Sequence, residues 1–159
     1  MKIKALHVEN CLSLRDVRIP FRPLTVLVGS NASGKSNVLG ALYLLRGLMI
    51  SENRLTKSDL SEHFWAGDNV NTDCLRLHME SEDESSGKSS AIQYKIALQT
   101  KDPHFSSEDL RIGDSAIISL KEEVGEISDS ASLQGWIDDF GIGSAIFDSQ
   151  LILDSSSEN

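Results

Sequence analysis

The chain opens with two near-alternating apolar stretches. Ile3, Ala5, Leu6 and Val8 lead into a polar turn at Glu9-Asn10, and Leu12, Leu14, Val17 and Ile19 follow. Alternation with period two places one set of side chains on one face of a sheet, so residues 2–19 predict two short strands. Pro20 and Pro23 interrupt the pattern, because proline has no N–H to give to a ladder. Residues 24–28, Leu-Thr-Val-Leu-Val, are unbroken apolar and β-branched, bounded by Pro23 and Gly29. That run predicts a strand buried on both faces, as in a parallel sheet. From Ser36 to Leu48 the period changes. Val38, Leu39, Leu42, Leu45 and Met49 fall at helical spacing, with Gly47 weakening the end.

The second half returns to strand spacing. Residues 73–79, 91–98 and 115–120 predict three strands. The first two flank a charged, Ser/Gly-rich piece, residues 80–88, which reads as a solvated hairpin loop. Asp102-Pro103 and Gly113-Asp114 are turn signals, and residues 51–72 read as a loop or a short helix. These elements divide the chain into a hairpin, strand and helix over 1–50, a connector over 51–72, an antiparallel β-subdomain over 73–124 and a partly helical linker region over 125–159.

Between the predicted buried strand and the predicted helix lies Gly29-Ser30-Asn31-Ala32-Ser33-Gly34-Lys35-Ser36, which satisfies G-x-x-x-x-G-K-[ST]. A chance match in a chain of this length has odds of about one in a few hundred. The physics gives each position a task. Glycine at 29 and 34 lets backbone N–H groups approach a phosphate that a Cβ would hold off. A helix starting near Ser36 aims its free N–H groups and positive dipole end at the same anion. Lys35 supplies a point charge for outer phosphates, and Ser36 offers a hard oxygen to Mg2+. The candidate nucleotide-binding residues are therefore Gly29, Ser30, Asn31, Ala32, Ser33, Gly34, Lys35, Ser36 and Asn37, with Ser36 as the metal ligand.

Charge and composition refine this picture. The net charge is -9 over 159 residues, unevenly spread. Residues 1–60 carry nine Lys/Arg against four Asp/Glu, and the remainder six against twenty. The acidic total argues against nonspecific nucleic-acid binding by the whole chain, while the basic N-terminal third suits an anionic ligand. Cys11 and Cys74 form neither a disulfide framework nor a metal pattern. No apolar run approaches the roughly 20 residues of a membrane span, and the N-terminus lacks the apolar core of a signal peptide. A reducing, cytoplasmic location is expected.

Residues 1–50 resemble the N-terminus of ABC-type ATPases of the RecF, SMC and OLD-nuclease kind. The resemblance rests on a short strand, the asparagine-led turn Asn10-Cys11-Leu12-Ser13-Leu14, a second strand, and the stretch PLTVLVGSNASGKSNVLGALYLL. Asn31 and Asn37 match the form G-x-N-x-x-G-K-S-N, whereas Cys11 stands where the family often has an aromatic residue. The resemblance implies an α/β P-loop NTPase fold with parallel core strands plus an antiparallel β-subdomain. It implies ATP with Mg2+, seated between the phosphate loop and the N-terminal hairpin. A head-to-tail homodimer, a nuclease or effector partner and DNA are the further partners it implies, in DNA repair or phage defence.

The family's signature loop, metal-coordinating aspartate and catalytic glutamate have no match. Ile137-Asp138-Asp139 follows a polar stretch, and Leu151-Ile152-Leu153-Asp154 is followed by Ser155 rather than glutamate. No catalytic residue is assigned. Gln134 and Gln150 stand where the family has a water-sensing glutamine. His7, His63, His78 and His104 show no partner pattern. The expectation is an ATP-binding N-terminal piece of a longer ATPase, with hydrolysis requiring elements not found in this chain. A non-catalytic nucleotide-sensing or dimerisation module is the alternative. A P-loop kinase or GTPase is a third reading, for which no N-K-x-D motif is present.

Overall fold

The computed structural model describes residues 2–49, 57–65, 74–84, 89–100, 104–121 and 124–127. Its frame is one sheet of seven strands: β1 (Lys2–Cys11), β2 (Leu14–Pro20), β3 (Cys74–Asp83), β4 (Ser90–Gln99), β5 (His104–Ile112), β6 (Ser115–Lys121) and β7 (Val124–Ile127). Their order across the sheet is β2-β1-β3-β4-β5-β6-β7, with every neighbouring pair antiparallel. The connections between neighbours are mostly short hairpins. The exception is β1 to β3, where the chain leaves through β2 and two helices, α1 (Lys35–Met49) and α2 (Lys57–Ser61).

Alternation selects the buried face. Leu6 and Val8 of β1 stand opposite Met79 and Leu77 of β3, which stand opposite Tyr94 and Ile96 of β4. Leu110 and Ile118 continue that row through β5 and β6. All of these are at most 2% exposed. One face of α1 joins them in the core through Val38, Ala41, Leu44, Leu45, Leu48 and Met49. Each large side chain so buried contributes about 1.5–3 kcal/mol by removal from water. A carboxylate lies among them. Glu108 is 1% exposed and accepts a 2.7 Å hydrogen bond from the Tyr94 hydroxyl. Burial beside that carboxylate pushes the Tyr94 phenol well above its ordinary range.

The opposite face of β1–β3 carries charge. Lys2 pairs with Glu84, Lys4 with Glu82, Arg18 with Glu80 and Arg76 with Glu9, at 2.6 to 3.1 Å. Three of the cations of the N-terminal third, Lys2, Lys4 and Arg18, are thus met by carboxylates of and just after β3. Residues 80–83 of the expected hairpin loop lie inside β3. Glu80 and Glu82 point to the charged face while Ser81 points to the core at 3% exposure.

Two strands, β5 and β7, exceed the expectation from the sequence, and one expected strand does not form. The 24–28 run has no strand pairing, and Leu24, Val26, Leu27 and Val28 are 80%, 70%, 41% and 89% exposed. The expectation of parallel core strands is therefore corrected for the described residues, whose strand pairs are antiparallel throughout. The reason is physical. A strand buried on both faces needs neighbours for its ladder and layers for its side chains, and the described residues supply neither at 24–28. Ile137-Asp138-Asp139, 151–154, Gln134, Gln150 and most of 125–159 lie outside the described residues. Among the described residues, no helix is long and apolar enough to cross a membrane.

Candidate functional site

The loop that precedes α1 is shaped by backbone conformations that few residues adopt. Gly34 has φ +86° and Ala32 φ 62°. The first is in the region where a Cβ is costly, which accounts for glycine at 34. At Gly29 a Cβ would fall 2.7 Å from Ser33 Oγ, which would have to rotate away. The Ser33 amide donates to Ser30 O at 3.3 Å, which closes a turn within the loop. The helix begins when the Asn37 and Val38 amides both donate to Gly34 O. The Gly34, Lys35 and Ser36 amides donate to no protein group among the described residues. These are the donors that a helix start leaves open, and together with the dipole they suit an anion.

Lys35 folds back over its own loop. Its ammonium donates to Gly29 O at 2.8 Å, Ser30 O at 2.5 Å and Ser33 Oγ at 3.2 Å. The cation expected to reach outer phosphates thus sits above the loop, held by carbonyls it can exchange for a ligand. Gly29, Ser30, Asn31, Ala32, Ser33 and Ser36 are exposed, so the loop is open to solvent. Asn37 is turned elsewhere. Its Nδ2 donates to Ser13 Oγ, 2.5 Å away, in the turn between β1 and β2.

That turn belongs to the hairpin expected beside the phosphate loop, and its serine at 13 is the residue to which the sequence assigned no role. Asn10 and Leu12 have φ 57° and 53°. Leu12 N donates to His63 O at 2.7 Å, Asn10 Nδ2 to Cys74 O at 2.8 Å, and Trp65 N to Asn10 O at 3.1 Å. The asparagine-led pattern was the available signal, since asparagine tolerates the left-handed region better than most residues. Cys11 is fully buried and bridges to Phe64. Burial pushes its thiol up to about 12, so it is inert as a nucleophile at neutral pH. Position 11 faces the core rather than the loop.

The donor set fits a phosphate: three open amides at a helix start, a glycine at 34 that no L side chain replaces without strain, and an ammonium within reach of the same loop. Among the described residues, no group of three or more His, Cys, Asp or Glu is arranged to hold a metal ion, so a cation here would depend on Ser36 and on the ligand's own oxygens.

Comparison with known proteins identifies the family. The family model described as an AAA ATPase domain matches residues 1–133. The DNA replication and repair protein RecF of Desulfitobacterium hafniense is 47% identical over 49 residues, covering 30% of this chain and 13% of RecF. The OLD nuclease of Thermus scotoductus is 42% identical over 45 residues, covering 28% of this chain and 8% of the nuclease. The chain therefore matches only a small part of these relatives' length. A structure solved in work on ATP-driven dimerization and DNA-stimulated activation of SMC ATPases superposes with TM-score 0.53 at 20% identity, covering 74% of this chain and 73% of that one. At that identity the likeness concerns the fold alone. The chain belongs to the AAA ATPase domain family, with distant similarity to RecF, OLD nuclease and SMC ATPases.

Proposed function

We propose that this chain binds ATP with Mg2+ through the 29–36 loop, as the nucleotide-binding part of an ABC-type ATPase acting in DNA repair or phage defence. The observation that carries the reading is the set of open amides at Gly34, Lys35 and Ser36, at the start of α1 and beneath the Lys35 ammonium. In this reading the Lys35 ammonium leaves Gly29 O and Ser30 O for the β- and γ-phosphates. Ser36 Oγ binds the metal, and the backbone from Gly29 to Gly34, through Ser30, Asn31, Ala32 and Ser33, wraps the phosphates. Hydrolysis needs a carboxylate near the metal ion and a group that orients water. No described residue is assigned either role, so we place both on a complementing segment. The exposed 24–28 run supports such a partner, because its unpaired backbone and its Leu and Val side chains suit added parallel strands. The names of the relatives support a DNA-repair or nuclease-linked setting, and the SMC work on ATP-driven dimerization supports a nucleotide-driven dimer, which we take to be head to tail.

Calorimetric titration with ATP and Mg2+ tests the reading. The wild-type chain is expected to bind, and Lys35→Ala to bind at least tenfold more weakly. Equal binding by the two would overturn the assignment of the site. The pure chain is expected to turn over little or no ATP, and robust Mg2+-dependent hydrolysis that is lost in Lys35→Ala would overturn that expectation. A second reading, a nucleotide-sensing or dimerisation module without chemistry, is favoured by the exposed apolar side chains of Leu39 and Tyr43 on α1 together with the 24–28 run. ATP-dependent dimerisation with no hydrolysis even in the complete protein distinguishes it from the first.

A further inference from the structure

The turn between β1 and β2 touches α1 along a single line. Ser13 Oγ accepts from Asn37 Nδ2 at 2.5 Å. The same oxygen would lie 3.1 Å from a Cβ at Gly34, and Leu12 Cδ1 would lie 2.7 Å from a Cβ at Gly40. Asn37 and Gly40 are three apart on one side of α1, and Gly34 directly precedes the helix. Two glycines and one hydrogen-bonding side chain therefore let the turn approach closely. On its other side the turn is tied to the segment just after α2 and to β3 by the Leu12–His63, Asn10–Cys74 and Trp65–Asn10 bonds. Its backbone is held with two non-glycine residues at positive φ. Such strain persists only where the surroundings over-determine it.

We infer that Ser13 is a positioning residue for the phosphate loop: through Asn37 it fixes the orientation in which α1 presents the Gly34, Lys35 and Ser36 amides. The inference rests on the reading of the 29–36 loop as the phosphate site. Open amides bind an anion well only when they converge on one point without rearrangement. Among the described residues, no backbone pairing joins the β1–β2 turn to the loop, and the Ser13–Asn37 bond links the turn to the first turn of α1. It also gives the Asn37 side chain a partner in the β1–β2 turn, with one of its two Nδ2 donors used there.

The test uses the full chain, with ATP·Mg2+ and inorganic tripolyphosphate·Mg2+ as probes in calorimetric titrations. Ser13→Ala is expected to weaken both probes by the same factor, about three- to tenfold, the range for loss of one hydrogen bond, with the ligand-free Tm unchanged. Ser13→Thr keeps the hydroxyl and is expected to bind like wild type. Asn37→Ala is expected to repeat the loss, and the Ser13→Ala/Asn37→Ala pair to lose no more than either alone. If wild type binds neither probe, the phosphate-site reading itself fails. If wild type binds and Ser13→Ala binds equally well, only the positioning role fails. A loss seen with ATP and not with tripolyphosphate overturns it too, because Ser13 would then touch the nucleoside. Additive losses in the double variant, or a Ser13→Thr as weak as Ser13→Ala, overturn it as well.

Discussion

Two short apolar segments of similar composition have opposite fates. Residues 75–79, Leu-Arg-Leu-His-Met, form the middle of β3, with β1 on one side and β4 on the other, and their three apolar side chains are at most 1% exposed. Residues 24–28, Leu-Thr-Val-Leu-Val, are more apolar and more β-branched, yet form no ladder and stand largely in solvent. Intrinsic preference does not explain the difference, because it favours the second segment. Neighbours explain it. Strand stability comes from cross-strand side-chain pairs and satisfied backbone groups, and β3 has both on two sides. The loop that carries the candidate phosphate site thus hangs from the less supported of the two segments, and α1 holds its far end.

The strongest way to break this comparison is by truncation in each segment. Leu77→Ala is expected to cost about 2–5 kcal/mol, the range for a buried leucine that leaves a cavity, measured by urea denaturation. A smaller loss follows at the buried pair. Tyr94→Phe takes a hydroxyl from the Glu108 carboxylate and is expected to cost about 1–3 kcal/mol. At the turn between β5 and β6, Gly113 has φ +58° with open space around it. Gly113→Ala is therefore expected to cost about 1–2 kcal/mol from backbone strain alone, and Gly113→Asn less.

Acid sharpens the comparison from another side. His78 stands opposite His7 on β1 and Lys95 on β4, its Nε2 buried without a partner. Burial, then the Lys95 charge, hold its pKa below the ordinary 6.5. The unfolded chain then takes up the proton first as pH falls. The stability that neutral His78 contributes is present above about 6.5 and is lost as pH drops below that value. His78→Gln is expected to flatten the pH dependence of Tm between pH 7 and 5, and an unchanged slope would refute the assignment. The smallest effect belongs to the exposed segment. Val26→Ala is expected to change the stability of this chain by no more than about 0.5 kcal/mol. A cost comparable to that of Leu77→Ala would mean that 24–28 is packed in solution, and the contrast between the segments would fail.

Much of the frame was legible because period and partner agree. Alternation placed β1 and β2 over 2–19, and the expected strands at 73–79, 91–98 and 115–120 fall within a few residues of β3, β4 and β6. The helical spacing from Ser36 to Leu48 matches α1 to within a residue at each end. What was not legible has physical causes. The stretch Ser-Ser-Glu-Asp-Leu-Arg in β5 looks like loop, because the inward position at 108 carries a carboxylate, and the Tyr94 hydroxyl that helps to satisfy it lies on another strand. Residues 80–83 look like a solvated acidic turn, because the cations that balance them are more than sixty positions away in β1 and β2. The motif from Gly29 to Ser36 was legible as a pattern, and its chemistry is what we propose for it. Ser13 was not legible, since a serine in a turn acquires meaning only from the helix against which it is set.

The ion pairs across β1 and β3 have a consequence for alignment. Lys2 and Lys4 face a run of glutamates spaced two apart, so a slide of one strand by two residues would still match opposite signs and still keep leucines inward. Those pairs are indifferent to such a slide. At the other end the polarity reverses, with Glu9 on β1 and Arg76 on β3, and either direction of sliding would bring Arg76 opposite His7 or Cys11 instead. An exposed pair of this kind is worth at most about 1 kcal/mol. Its weight lies in telling one alignment from its near-copies, and the same alignment sets where the Asn10 amide meets Cys74 O.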